Sequence, residues 1–255
     1  MRWRWILLGG AAILVLVAVA GVGLFLLADA DAGAVSPERA LTEFRDDPGV
    51  VRDPAGGVPP AGVYLFRVAG EETLSRGPLT ITRTFPDLAP RTITHTETGF
   101  DVNWRLSTGK GELSHISLAD ESTVTTYAES YFAAAGITFT NTRAWTPPTT
   151  RALVEPKVGD RWSGRHTDGE GLMLDSESEV TGMRTLRIGG MPVRTAVVES
   201  SFTVSGTATG SGSSTSFYDP ESALNVRTVT QSDLSQDGSA KTRYVATLTS
   251  LDPLT

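Results

Sequence analysis

The chain has 255 residues and no cysteine. That absence excludes disulfides, thiolate metal sites, thiol nucleophiles and a lipid-modified cysteine anchor. Small extracellular domains often depend on disulfides, but a domain of roughly 190 residues buries enough apolar surface to fold without them. Histidine is nearly absent too, with three in the whole chain. No Gly-x-Ser-x-Gly elbow, phosphate-cradling loop or dinucleotide glycine pattern occurs. Basic residues are outnumbered, 22 against 29 acidic, for a formal net charge of −7. Without Arg2 and Arg4, which precede a hydrophobic run, the remainder carries 20 basic and 29 acidic residues. Such a domain has no electrostatic grip on nucleic acid, where Lys and Arg must neutralise phosphates. Nor does it carry a polybasic patch for anionic headgroups. No nucleic-acid partner and no cofactor are expected.

The hydrophobic run spans Trp5 to Leu27, 23 residues without a charge. About 20 apolar residues suffice to cross a bilayer core of ~30 Å. Arg2 and Arg4 lie before it, and Asp29 and Asp31 lie after it. The basic flank stays in the cytoplasm. Residues 1–4 are therefore expected to be cytoplasmic and residues 5–27 to be a transmembrane signal anchor. The rest is expected outside a single-pass cell membrane. A cleaved signal peptide is the alternative, but its apolar core is typically only ~7–15 residues.

Residues 28–60 read as a stalk with one short helix. Ser36-Pro37-Glu38 supplies a capping hydroxyl, a proline for the first helical position and an acid near the positive helix end. Gly56-Gly57-Val58-Pro59-Pro60 then forms a linker. Residues 61–252 form a β domain, with possible halves at 61–155 and 156–252. Phe100, Val102, Trp104 and Leu106 alternate with Asp101, Asn103 and Arg105, and Leu79, Ile81 and Phe85 alternate with threonines. Such alternation gives a strand one apolar and one wet face. Gly109 and Gly111 mark one turn and Gly189-Gly190 a two-residue hairpin. Gly210–Ser214 reads as a flexible loop, and Tyr127–Ala135 is the one segment of the β domain that could be helical. About ten to twelve strands joined by short turns imply an antiparallel sheet, and a sheet that large must curl. The fold class expected is mainly β: a large, bent, half-barrel-like antiparallel sheet behind one transmembrane helix. A β-sandwich is the alternative.

Two groups of motifs carry a resemblance. One is Pro59-Pro60-Ala61-Gly62-Val63-Tyr64, with Gly70-Glu71-Glu72 and Phe85-Pro86. The other is Val158-Gly159-Asp160-Arg161-Trp162, with Ile188 to Val193 and Tyr218-Asp219-Pro220 through Leu224 to Arg227. Together they resemble an uncharacterised family of signal-anchored actinobacterial envelope proteins. The second group also looks like the sheet segments of half-barrel lipid and lipoprotein carriers. The resemblance implies location and fold style and no chemistry.

Trp104, Trp145 and Trp162 are candidate ligand-binding residues, able to rim an apolar groove. Trp145-Thr146-Pro147-Pro148 reads as a loop. Buried tryptophans equally plug a core. His166, Asp168 and Glu170 stand at alternate positions that could face one metal, yet Gly164, Gly169 and Gly171 around them read as a solvated turn. His95 and His115 are isolated. The function expected is non-enzymatic, with an apolar ligand such as a lipid held in a concave sheet. An interaction or scaffold module contacting another envelope protein is the alternative. A hydrolase would need His166 brought beside a carboxylate in space.

Overall fold

The computed structural model describes residues 33–50, 58–119, 122–134, 137–236 and 238–255. The expected anchor, residues 5–27, lies outside the described residues. Among the described residues no helix is long and apolar enough to cross a membrane.

Thirteen strands follow one helix: α1 (Pro37–Asp46), β1 (Gly62–Arg76), β2 (Leu79–Thr84), β3 (Leu88–His95), β4 (Gly99–Ser107), β5 (Lys110–Ala119), β6 (Ser122–Ala134), β7 (Ile137–Leu153), β8 (Arg161–Thr167), β9 (Leu172–Ile188), β10 (Met191–Gly206), β11 (Thr209–Tyr218), β12 (Asn225–Ser235) and β13 (Ser239–Leu248). From β3 to β13 each strand pairs with the next. β1 then pairs on one edge with β3 and on the other with β13, from Phe66↔Leu248 to Ser75↔Ser239. The ring is therefore a closed barrel of twelve strands, with β2 as an extra strand on the far half of β1.

This corrects the expected half-barrel, and the β-sandwich with it. The closing pairs join residues some 170 positions apart, such as Glu72 and Thr242, and alternation within a strand carries no information about its distant neighbour. Closure removes both exposed edges that a half-barrel would have to protect. Gly70 sits on the closing ladder, where a Cβ would lie 2.2 Å from the Arg243 carbonyl oxygen. The close approach of the two backbones there requires glycine.

Other local expectations change as well. Ser122–Ala134, which includes most of the possibly helical segment, is a strand paired on both edges. Gly210–Ser214 lies inside β11, not in a loop. Gly212 takes the place of a side chain, because a Cβ there would meet the Phe202 ring at 2.4 Å. At Gly189-Gly190 the hairpin forms as expected, with φ of 57° and 87° and Met191 paired to Ile188. Trp145-Thr146-Pro147-Pro148 belongs to β7. The prolines, which lack the ladder donor, fall where β7 meets β8 through the single pair Thr146↔Thr167.

Helix α1 starts at Ser36, whose hydroxyl accepts from the Arg39 amide at 3.1 Å. Its apolar stripe, Ala40 and Phe44, packs on Val63 from outside the barrel. Glu43 pairs with Arg105 of β4, and the C-terminal tail pairs Leu254 with Val63. The outer wall carries cross-strand charge pairs on β8, β9, β12 and β13. Arg161–Glu179, Arg165–Asp175 and Asp233–Lys241 are ion pairs between residues directly opposite each other on adjacent strands.

Candidate functional site

The inner wall follows from the register. Residues that pair across the ladders share a face, so each row can be read around β9, β10, β11, β12, β13 and β1. The row at one rim is Leu174, Val204, Gly210, Leu234, Ala240 and Leu74, continued by Ile81 of β2. The next is Ser176, Phe202, Gly212, Ser232, Thr242 and Glu72. The third is Ser178, Ser200, Ser214, Thr230, Tyr244 and Gly70. Below lie Val180, Val198, Ser216, Thr228, Ala246 and Val68. Inside the barrel an apolar collar thus stands above a belt of small hydroxyls, which stands above a packed floor.

The floor is filled. Phe66, Ile93, Trp104, Ile188, Val226 and Leu248 pack into one apolar cluster. The collar is not. Leu74, Leu174, Phe202, Val204 and Leu234 all face inward and are only half-buried. Glu112, which faces inward opposite Trp104, is exposed. Twelve strands enclose more space than side chains alone fill, since about eight already suffice for a filled barrel.

Two charged groups stand out inside. Glu72 is fully buried and accepts from Arg83 Nε at 3.1 Å, from Arg83 Nη2 at 2.8 Å, from Thr242 Oγ1 at 3.0 Å and from Lys110 Nζ. Burial alone would raise its pKa, but Lys110 and Arg83 outweigh burial and hold it below the ordinary glutamate value. This is a satisfied structural cluster at the β1–β2–β13 junction.

Arg91 is different. Its guanidinium lies 3.4 Å from the centre of the Trp104 ring and 4.2 Å from that of Phe66. Nη1 donates to the Asn225 carbonyl at 3.3 Å, while Nε has no partner. No carboxylate lies within ion-pair distance of it among the described residues. Burial, with the nearby charge of Arg151, pushes its pKa down to about 9, against smaller opposing effects of Tyr244, Tyr218 and Glu112. Trp104 Nε1 and Asn225 Oδ1 beside it are also buried without partners. The sequence reading passed over Arg91. The available signal was a base on the apolar side of a strand, in step with Ile93 and His95.

Of the three tryptophans singled out from sequence, Trp104 is in the floor against Arg91. Trp162 faces inward from β8, half-buried, and its indole donates to the Thr150 carbonyl at 3.2 Å. Trp145 is half-buried at the β7–β8 junction, so the three do not form one rim. His166 is buried and closes β8; Nδ1 bonds the Pro147 carbonyl at 2.8 Å, and Nε2 lies 3.4 Å from Ser176 Oγ. Asp168 is turned away to Arg143, at 2.6 Å, and to the Glu170 and Leu172 amides. Burial raises the pKa of Asp168, but those amides and Arg143 together bring it below the ordinary value. Glu170 is exposed in the turn. Among the described residues no three His, Asp or Glu side chains gather as a metal site. His95 is buried against the Pro59 carbonyl at 2.8 Å, and His115 pairs with Asp101 on the outer wall.

The outer wall also has a shallow groove of about 930 Å³ at the waist of β8–β13. Arg161, Glu177, Glu179, Glu199, Gln231 and Arg243 line it among small hydroxyl residues. A twisted barrel is a hyperboloid, and its waist is hollow on the outside.

No family model matches the chain, and no curated protein matches it. The resemblance to actinobacterial envelope proteins gains no support from them. Among solved structures the chain is similar to the crystal structure of the hypothetical lipoprotein YmcC from Escherichia coli (K12). The two share 12% identity over 75% of this chain and 86% of that one, at a TM-score of 0.34. A likeness at that level carries no argument about function.

Proposed function

We propose that the protein is a non-enzymatic binding protein of the cell envelope, whose barrel takes an amphiphilic ligand into its lumen. The observation that carries this is the apolar collar of Leu74, Leu174, Val204 and Leu234, which face inward and are only half-buried. Uncovered apolar area of that kind gives roughly 25 cal/mol per Å² when a ligand covers it. The hydroxyl belt below offers donors and acceptors to a polar group, so the wall suits a molecule with two chemical ends. The expected anchor at residues 5–27 would hold the barrel on the outer side of a membrane, close to a source of amphiphiles.

The reading is tested by extracting the full-length protein from its native membrane and measuring its intact mass under native conditions. The expected result is a co-purified small amphiphile, displaced by a dye that binds apolar cavities. A bare mass together with no dye binding would refute it.

The waist groove favours a second reading, in which the outer wall contacts another envelope protein. In-cell crosslinking from Gln231 or Glu199 tests it. A single repeated partner supports it, and products that match no specific partner count against it.

A further inference from the structure

A buried arginine without a carboxylate is costly. Removing an ion from water remains costly even after the protein relaxes, and a cation over aromatic rings recovers only part of that cost. Arg91 is 6% exposed, Trp104 7% and Asn225 7%, and each carries an unpaired polar atom. Native interiors pair almost all such atoms, so three together call for an explanation. Two of the three, Arg91 Nε and Trp104 Nε1, are donors. The guanidinium carbon lies over the indole, 3.4 Å from the ring centre.

The groups facing this spot are known. Arg151 contributes a second positive charge from β7. Tyr244 and Tyr218 contribute phenols, and Glu112 is the acid nearest by electrostatic influence. Glu112 is solvent-exposed on the inner face and pairs across the strands with Trp104, so solvent reaches the neighbour of the ring on which the arginine lies.

Resting on the amphiphile reading above, we infer that Arg91 and Trp104 form a binding site for the anionic head of the ligand, a carboxylate or a phosphate. The anion accepts from Arg91 Nε and Trp104 Nε1, and Arg91 and Arg151 neutralise it. Asn225 Oδ1 takes a hydroxyl or a water that comes with it. The chain then runs up past the hydroxyl belt, and its apolar end reaches the collar. From Phe66, on which Arg91 stacks, to Leu74 in the collar is eight residues of β1. That is roughly 26 Å of strand, or roughly 20 Å along the axis of a barrel tilted by about 40°. The site therefore selects long single chains with an acidic end.

Four probes separate the possibilities on the full-length protein in a non-ionic detergent: palmitic acid, hexadecyl phosphate, methyl palmitate and inorganic phosphate. Binding is read by calorimetry and by the indole N–H resonance of Trp104, in the parent and in R91L and R91K, with circular dichroism to show that each variant is folded. The expected result is that the acid, the phosphate ester or both bind at least about tenfold tighter than the methyl ester. They shift the Trp104 resonance, R91L removes the preference, and R91K retains part of it. If acid and ester bind equally, the head-group site is wrong while the amphiphile reading stands. If only inorganic phosphate binds and shifts Trp104, the anion site stands and the amphiphile reading falls. If no probe binds, both fall.

Discussion

Glu72 shows how much can rest on one side chain. It is a buried carboxylate holding Arg83, Lys110 and Thr242, and it joins β1, β2, β5 and β13. E72Q keeps the shape and removes the charge, leaving the guanidinium of Arg83, only 4% exposed, without that carboxylate. Breaking one side of such a pair costs about 3–5 kcal/mol, which chemical denaturation of the variant measures directly. The pH dependence has a definite sign. The folded pKa of Glu72 lies below the unfolded value of 4.5. Its contribution is therefore present above pH 4.5 and is lost as pH falls from there through the folded value. The parent should lose stability in that acid window, and E72Q should show a flatter profile there. A profile unchanged by E72Q would mean that Glu72 is not ionised in the folded barrel. Neither Glu72 nor Arg91 could be assigned from the sequence. The partners of Glu72 are 11, 38 and 170 positions away, and the exposure of an arginine depends on what the ring closes over.

At the scale of elements, the barrel wall is uneven. β1 and β13 share ten paired positions, while β7 and β8 share one. Amide exchange should follow this difference. The amides of β1 and β13 are expected to be among the slowest, and those of β8 that face β7 among the fastest in the strands. Equal protection along both junctions would contradict the seam. Closure also depends on Gly70, so G70V should destabilise by about 1–3 kcal/mol, as overpacking does, with thermal unfolding as the readout. Much at this scale was legible. The cap at Ser36, the Gly189-Gly190 turn and the alternation through β4 all form as the residues dictate. Two of the misreadings share one cause. Glycine and proline were taken as marks of a loop, but in β11 Gly212 makes room for Phe202, and in β7 Pro147 and Pro148 sit where the neighbouring strand is hardly paired. Tyr127–Ala135 carries a weak pattern that its β5 and β7 neighbours decide.

At the scale of the molecule, everything proposed about a ligand depends on the ring being closed. A half-barrel would leave the collar and Arg91 on an open face, whereas a closed ring makes them a lumen. The absence of cysteine allows a direct measurement. Glu71 and Arg243 are partners across the closing ladder, and both point outward and are exposed. Six positions back along the same ladder the Leu65–Thr249 pair is hydrogen-bonded, Thr249 amide to Leu65 carbonyl at 2.9 Å. Hydrogen-bonded pairs recur at every second position, so Glu71 and Arg243 form one as well, with Cα atoms ~5.5 Å apart, a spacing that a disulfide accepts. In the full-length double variant E71C/R243C, mild oxidation followed by intact-mass analysis and thiol alkylation counts the free cysteines. The account predicts near-complete disulfide formation with an unchanged circular dichroism spectrum. Two alkylatable thiols after oxidation, in a folded protein, would mean that β1 and β13 do not meet and that the lumen does not exist.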